Sequence, residues 1–179
     1  RHPLIDPELV VANTFNLRDD QFIIVISGPN AGGKTVALKT IGLLVLMAKS
    51  GLMLPVSEEP HLYFYNDVYA SIGDEQSLSQ NLSTFSSHVK RIGEIMRDAN
   101  SDDLVLLDEL ATGTSPEEGE ALALAIVSYL LNNHISSVIS SHYSRLKEFA
   151  YKHDGIINAS MAFDEKKLSK KTSSTGNER

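Results

Sequence analysis

An α/β fold with a largely parallel sheet flanked by helices is the class this sequence predicts. Short apolar runs rich in β-branched residues alternate with longer stretches of helix-forming residues, and Gly or Pro punctuates the joints. The first such run, residues 21–27 (QFIIVIS), is closed by Gly28-Pro29 and reads as a buried strand entering a tight loop. Residues 34–50 follow as a helix, apolar on nearly every side and therefore buried, which Gly51 stops. Residues 61–72, rich in Tyr, Phe and Val, predict one or two strands. Residues 85–99 then carry helical spacing through Val89, Ile92, Ile95 and Met96. Leu104-Val105-Leu106-Leu107 is a second fully apolar strand. Pro116 suits a first helical turn, and Glu117, Glu118 and Glu120 suit its positive dipole end, so a helix is expected to about Leu131. A strand at 138–140, a helix at 143–152 and a last strand at 156–163 complete the series.

With 179 residues, 42% of them apolar, the chain suits one domain with one core. Its boundaries are read as 1–164, and residues 165–179, almost all polar, as a flexible or truncated end. The opening Arg1-His2-Pro3-Leu4 has no initiator methionine and no signal layout, so it reads as an excised piece of a longer protein. The net charge of −7 disfavours phosphodiester backbones and anionic membrane faces as direct partners, so nucleic-acid contacts are expected elsewhere. With no cysteine, disulfides, thiolate metal sites and cysteine nucleophiles are excluded, and a reducing, cytoplasmic setting is favoured. The longest apolar stretch, near residues 41–48, falls well short of the roughly 20 residues a membrane span requires.

Chemistry concentrates in two places. Gly28-Pro29-Asn30-Ala31-Gly32-Gly33-Lys34-Thr35 fits G-x-x-x-x-G-K-[ST] between a strand and a helix, where a phosphate-binding loop belongs. The glycines let backbone N–H groups point inward, and the helix dipole adds positive potential. Lys34 would reach the β- and γ-phosphates and the Thr35 hydroxyl would ligate Mg²⁺. The second place is the strand ending in Asp108-Glu109. Asp108 can hold the magnesium shell, and Glu109 is the natural group to polarise an attacking water. An adjacent metal acid and water-activating base suit hydrolysis better than transfer to an organic acceptor. Neither N-K-x-D nor a D-x-x-G switch follows the loop, which favours adenine over guanine. ATP with Mg²⁺ is the expected pair of ligands.

These residues also resemble a known family. The loop 28–35, Leu107-Asp108-Glu109, Ala111-Thr112-Gly113-Thr114-Ser115, Ser83-Thr84-Phe85 and Ser141-His142-Tyr143 together resemble the ATPase domain of MutS proteins, in that family's order, from residue 1 to about Asp164. Segments 73–88 and 158–161 look more like the second bacterial paralogue, the MutS-two type, than the mismatch-repair protein. The resemblance implies a P-loop NTPase fold of ABC-type ATPase character, working as a homodimer with composite ATP sites. Ser83 matches the signature residue that meets the γ-phosphate bound to the other subunit. His142 matches a switch histidine that contacts the γ-phosphate or the attacking water, and Asp108 and Glu109 match the metal and catalytic acids. Pro29, Asn30, Ala31 and the loop glycines match the nucleotide-binding loop. Intact proteins of this branch carry a C-terminal nuclease domain, bind branched DNA, restrain recombination and, in some bacteria, rescue collided ribosomes, all through other domains. Two departures stand out. Val10 and Val11 occupy the place of an adenine-stacking aromatic in mismatch-repair members, and residues 169–179 lack the family's later strand pair.

Other features have plainer readings. Ser83 also suits an N-cap for the helix at 85–99. His88 and His153 fall in helical segments without a ligand partner at i+4 and read as structural or solvent-facing. Tyr63, Phe64, Tyr65 and Tyr69, without interleaved basic residues, read as core or partner packing rather than a base-stacking platform. The Lys pairs at 166–167 and 170–171 read as a solvated tail. Three alternatives stay open: a mismatch-repair ATPase domain, a nucleotide-gated dimerisation switch with little turnover, and a small-molecule kinase.

Overall fold

The computed structural model describes residues 1–6, 8–29, 32–57, 59–73 and 81–161, the side chains of 81–84 excepted. Strands and helices alternate along the chain: β1 (Ile23–Ser27), α1 (Lys34–Lys49), β2 (Val68–Ser71), α2 (Asn81–Asp98), β3 (Leu104–Leu107), α3 (Pro116–Asn132), β4 (Ser136–Ser140), α4 (Ser144–Lys152) and β5 (Ile156–Ser160). All strand pairs are parallel, in the order β2-β3-β4-β1-β5. The register sets Val25 beside Ile139 on one side and Asn158 on the other, so β1 is interior and β5 an edge.

Parallel pairing requires a crossover after every strand, and the crossovers cover both faces of the sheet. Ile23, Val25, Val105, Leu107 and Ile139 pack with α2, α3 and α4 through Ile92, Ile95, Ala123, Val127, Leu130 and Leu146. Ile24, Ile26, Leu104, Leu106 and Val138 pack on the opposite face against Ala37, Leu38 and Val45 of α1. β1 and β3 are apolar on successive residues because both of their faces are enclosed. Each fully buried Ile or Leu contributes about 1.5–3 kcal/mol relative to exposure.

The expected parallel α/β architecture is found, with local corrections. Of the one or two strands expected in residues 61–72, one is present, confined to Val68–Ser71; Tyr63 and Phe64 stay 82% and 79% exposed, while Tyr65 and Tyr69 pack against the two cores. Helix α2 begins at Asn81, four residues ahead of the expected start. Ser83 therefore lies inside its first turn and is not the N-cap; short polar residues are tolerated there because the first N–H groups have no intrahelical partner. His153 follows α4 instead of lying in it, stacked on Phe149 at 3.9 Å. Helix α1 is not buried all round. Among the described residues it shares its face of the sheet with no other helix, and Val36 and Leu46 remain 41% and 46% exposed. The tail from 165, with its Lys pairs, lies outside the described residues, within which no helix is long and apolar enough to cross a membrane.

Candidate functional site

The C-terminal ends of parallel strands converge at one edge of the sheet, and the turns leaving β1, β3, β4 and β5 meet there. After β1 the chain curls through Gly28 at φ 136°, and a Cβ on this residue would stand 2.9 Å from the carbonyl oxygen of Met161. Only glycine fits both the angle and the approach. The Gly32 N–H donates to the Pro29 carbonyl at 2.9 Å, and Gly33 at φ 84° turns the chain into α1. No side chain caps that helix start and its first turn holds no acid, so its positive end is not neutralised from within α1. Lys34, 3% exposed, donates from Nζ to the Gly28 carbonyl at 2.6 Å, reaching back across the loop it closes. Asn30 and Ala31 lie outside the described residues.

The acid strand meets this loop directly. The Thr35 hydroxyl donates to Oδ2 of Asp108 at 2.6 Å, joining positions 73 residues apart. Asp108 is 7% exposed, and its N–H donates to the Ser71 carbonyl at 2.9 Å. Its other oxygen, Oδ1, accepts from the Ser140 hydroxyl at the end of β4. The Ser140 oxygen in turn accepts from the Glu109 N–H at 2.8 Å. Beyond Asp108 the chain reverses sharply, with Glu109 at φ 48° and Ala111 at φ 61°, conformations costing about 1–3 kcal/mol each for residues with a Cβ. Partners on β4 and just after it hold that reversal: the Ser140 carbonyl accepts from the Leu110 N–H at 3.1 Å, and the Tyr143 hydroxyl donates to the Ala111 carbonyl at 2.9 Å. Burial, with a smaller push from the Glu120 charge, holds the Tyr143 hydroxyl above its ordinary pKa, so it stays a donor.

Of the expected site residues, Gly28, Pro29, Gly32, Gly33, Lys34, Thr35, Asp108 and Glu109 thus fall on one edge, the loop and the strand joined by the Thr35 bond. His142 leaves β4 beside them, exposed, its ring 4.4 Å from that of Tyr143. Ser83 is placed by its backbone in the first turn of α2; two residues on, Phe85 lies against Gly113 of the 111–115 loop. Ser140, Tyr143 and Met161 were not singled out for these contacts. The only hint was a pair of hydroxyl residues, Ser140-Ser141, closing an otherwise apolar strand.

A hard cation fits this donor set. Thr35 and Asp108 present adjacent oxygens beside an anion-accepting loop, the ligand type Mg²⁺ takes when phosphates and water complete its shell. Among the described residues no cluster of three or more His, Cys, Asp or Glu offers an all-protein metal cage. A shallow hollow lined by Phe22, Leu131, His134 and Gly155 lies at the opposite, N-terminal ends of the strands, away from this chemistry.

Comparison with known proteins agrees with the motifs. The family model for MutS domain V matches residues 24–174. Endonuclease MutS2 of Staphylococcus epidermidis is 49% identical over 168 residues, 94% of this chain and 22% of that protein. The Bacillus mycoides protein of the same name is 51% identical over 169 residues, 94% of this chain and 22% of its own length. The Geobacillus one is 52% identical over 168, 94% and 21%. The chain spans about a fifth of the length of these relatives. By sequence, by its matched domain and by the loop-and-acid edge of its sheet, the chain belongs to the MutS family, as a domain V of MutS2 type.

Proposed function

We propose that this domain binds ATP with Mg²⁺ at the 28–35 loop and hydrolyses it to ADP and phosphate, as the dimerising motor of a larger MutS2-type protein. The observation that carries the reading is the Thr35–Asp108 hydrogen bond of 2.6 Å, which puts the glycine loop and the acid strand on one site. A parallel sheet that sends both out of the same edge supports a P-loop, ABC-type ATPase fold.

The roles follow from placement. Loop N–H groups and Lys34 hold the β- and γ-phosphates and stabilise charge that develops on the transferred phosphoryl group. Thr35 and Asp108 would hold Mg²⁺, which when bound neutralises charge on the phosphate oxygens. Glu109, next along the chain from the metal acid, orients and polarises water as general base. His142, leaving the adjacent strand, adds a polar contact to the γ-phosphate or the water. Ser83 of one subunit completes the site of its partner, so a homodimer carries two composite sites. DNA, branched in structure, and the ribosome are engaged by other parts of the full-length protein in the cytoplasm. The nuclease activity named for the relatives would likewise lie outside this chain.

The test is Glu109→Gln. It keeps ATP binding within about threefold and lowers steady-state phosphate release by about 100-fold or more, the range of a lost general base. Equal turnover by both forms would overturn the assignment. Mass in solution should shift from monomer to dimer with ATP and Mg²⁺, and Ser83→Ala should abolish the shift.

A further inference from the structure

We propose that Ser140 is a positioning residue for both acids: its hydroxyl orients the Asp108 carboxylate toward the cation side and fixes the turn that carries Glu109. The proposal rests on the reading of Asp108 and Glu109 as the magnesium and water-activating acids.

A serine hydroxyl has one proton to give and lone pairs to accept with. Here the proton goes to Oδ1 of Asp108, and a lone pair takes the Glu109 N–H at 2.8 Å. Ser140 is fully buried, so water does not compete for either bond. The terminal torsion of an aspartate is broad and roughly two-fold, so a carboxylate tethered at one oxygen can still swing. With Ser140 on Oδ1 and Thr35 on Oδ2 at 2.6 Å, the Asp108 carboxylate is held at both of its oxygens. If the Thr35 oxygen turns to a cation, Ser140 remains as the side-chain tether on Asp108.

The same residue holds the strained segment. Glu109 sits at φ 48°, and two successive N–H groups of the reversal, those of Glu109 and Leu110, are accepted by Ser140, one on its side chain and one on its carbonyl at 3.1 Å. A neighbouring strand thereby fixes the direction in which Glu109 leaves β3. Thr can supply the same hydroxyl, Cys a weaker donor, and Ala none.

The experiment compares wild type, Ser140→Ala, Ser140→Cys and Ser140→Thr in the full-length protein. It uses calorimetric titration of a non-hydrolysable ATP analogue across a Mg²⁺ series, with phosphate release measured in parallel. Ser140→Ala should bind the analogue without Mg²⁺ within about twofold of wild type. Its half-saturating Mg²⁺ should rise and its turnover fall, each about tenfold or more, the scale of a lost bond to a charged group. Thr should return both to within about threefold, with Cys between. A residue that only packs would lower the melting temperature and leave the Mg²⁺ series unmoved. An Ala variant with unchanged Mg²⁺ dependence and turnover overturns the proposal. A wild type that binds no analogue at any Mg²⁺ concentration instead overturns the nucleotide reading, and the Ser140 role falls with it.

Discussion

Tyr143 shows how much one hydroxyl can carry at the residue scale. It is 8% exposed and donates at 2.9 Å to the carbonyl of Ala111, itself at positive φ. Tyr143→Phe keeps the ring and leaves that carbonyl unpaired, so we expect a loss of about 1 kcal/mol at pH 8 in denaturant unfolding. The pH dependence has a definite sign. Burial first, and the Glu120 charge second, raise the folded-state pKa above the ordinary value of 10.0. The hydroxyl's contribution is therefore complete below about pH 10 and is lost as pH rises through the higher folded value. The gap between wild type and Tyr143→Phe should narrow above pH 10. Residues of this kind are hard to read from sequence. Gly28 to Thr35 and Asp108-Glu109 are legible because each motif is consecutive and its chemistry is local. The partners Ser140 and Tyr143 lie 32 residues from the atoms they hold, and only the strand order brings them there.

Elements were legible where composition and periodicity agreed. Helix α3 begins with Pro116 at its first turn, Ser115 accepting from the Glu118 N–H, and acids at its positive end. Within 61–72, where one or two strands were expected, the sequence did not show which residues would pair, because aromatic content signals β structure whether or not a neighbouring strand is available. Two glycines separate propensity from packing. Gly93 on α2 has open space where a Cβ would go, so Gly93→Ala should stabilise by about 0.5–1 kcal/mol. At Gly119 on α3 an added Cβ would stand 2.1 Å from the Tyr143 hydroxyl and 2.7 Å from the Ala111 carbonyl oxygen. Packing wins there, and Gly119→Ala should cost about 1–3 kcal/mol and lower the melting temperature by several degrees. The same change should weaken turnover, because α3 and the segment after β4 share the contact that steadies the reversal at 109–111.

On the scale of the molecule, the parallel class was legible because β1 and β3 are apolar on successive residues and strands alternate with helices, whereas the order of strands was not. That order follows from which helix covers which face, and among the described residues α1 is the helix on one of them while α2, α3 and α4 share the other. Folding inherits a constraint from it. β1 pairs with β4 and β5, each more than a hundred residues downstream, and such distant pairing is slow. Chains halted on the ribosome before residue 136 should stay protease-sensitive throughout, and chains released after residue 161 should gain resistance in one step; early resistance of a shorter chain would contradict this. During synthesis at about 5–20 residues per second, the Ile-Ile-Val-Ile run of β1 leaves the exit tunnel several seconds or more before either neighbour exists. For that interval the most buried strand of the finished domain is its most adhesive one, and a cell making this protein must shelter it.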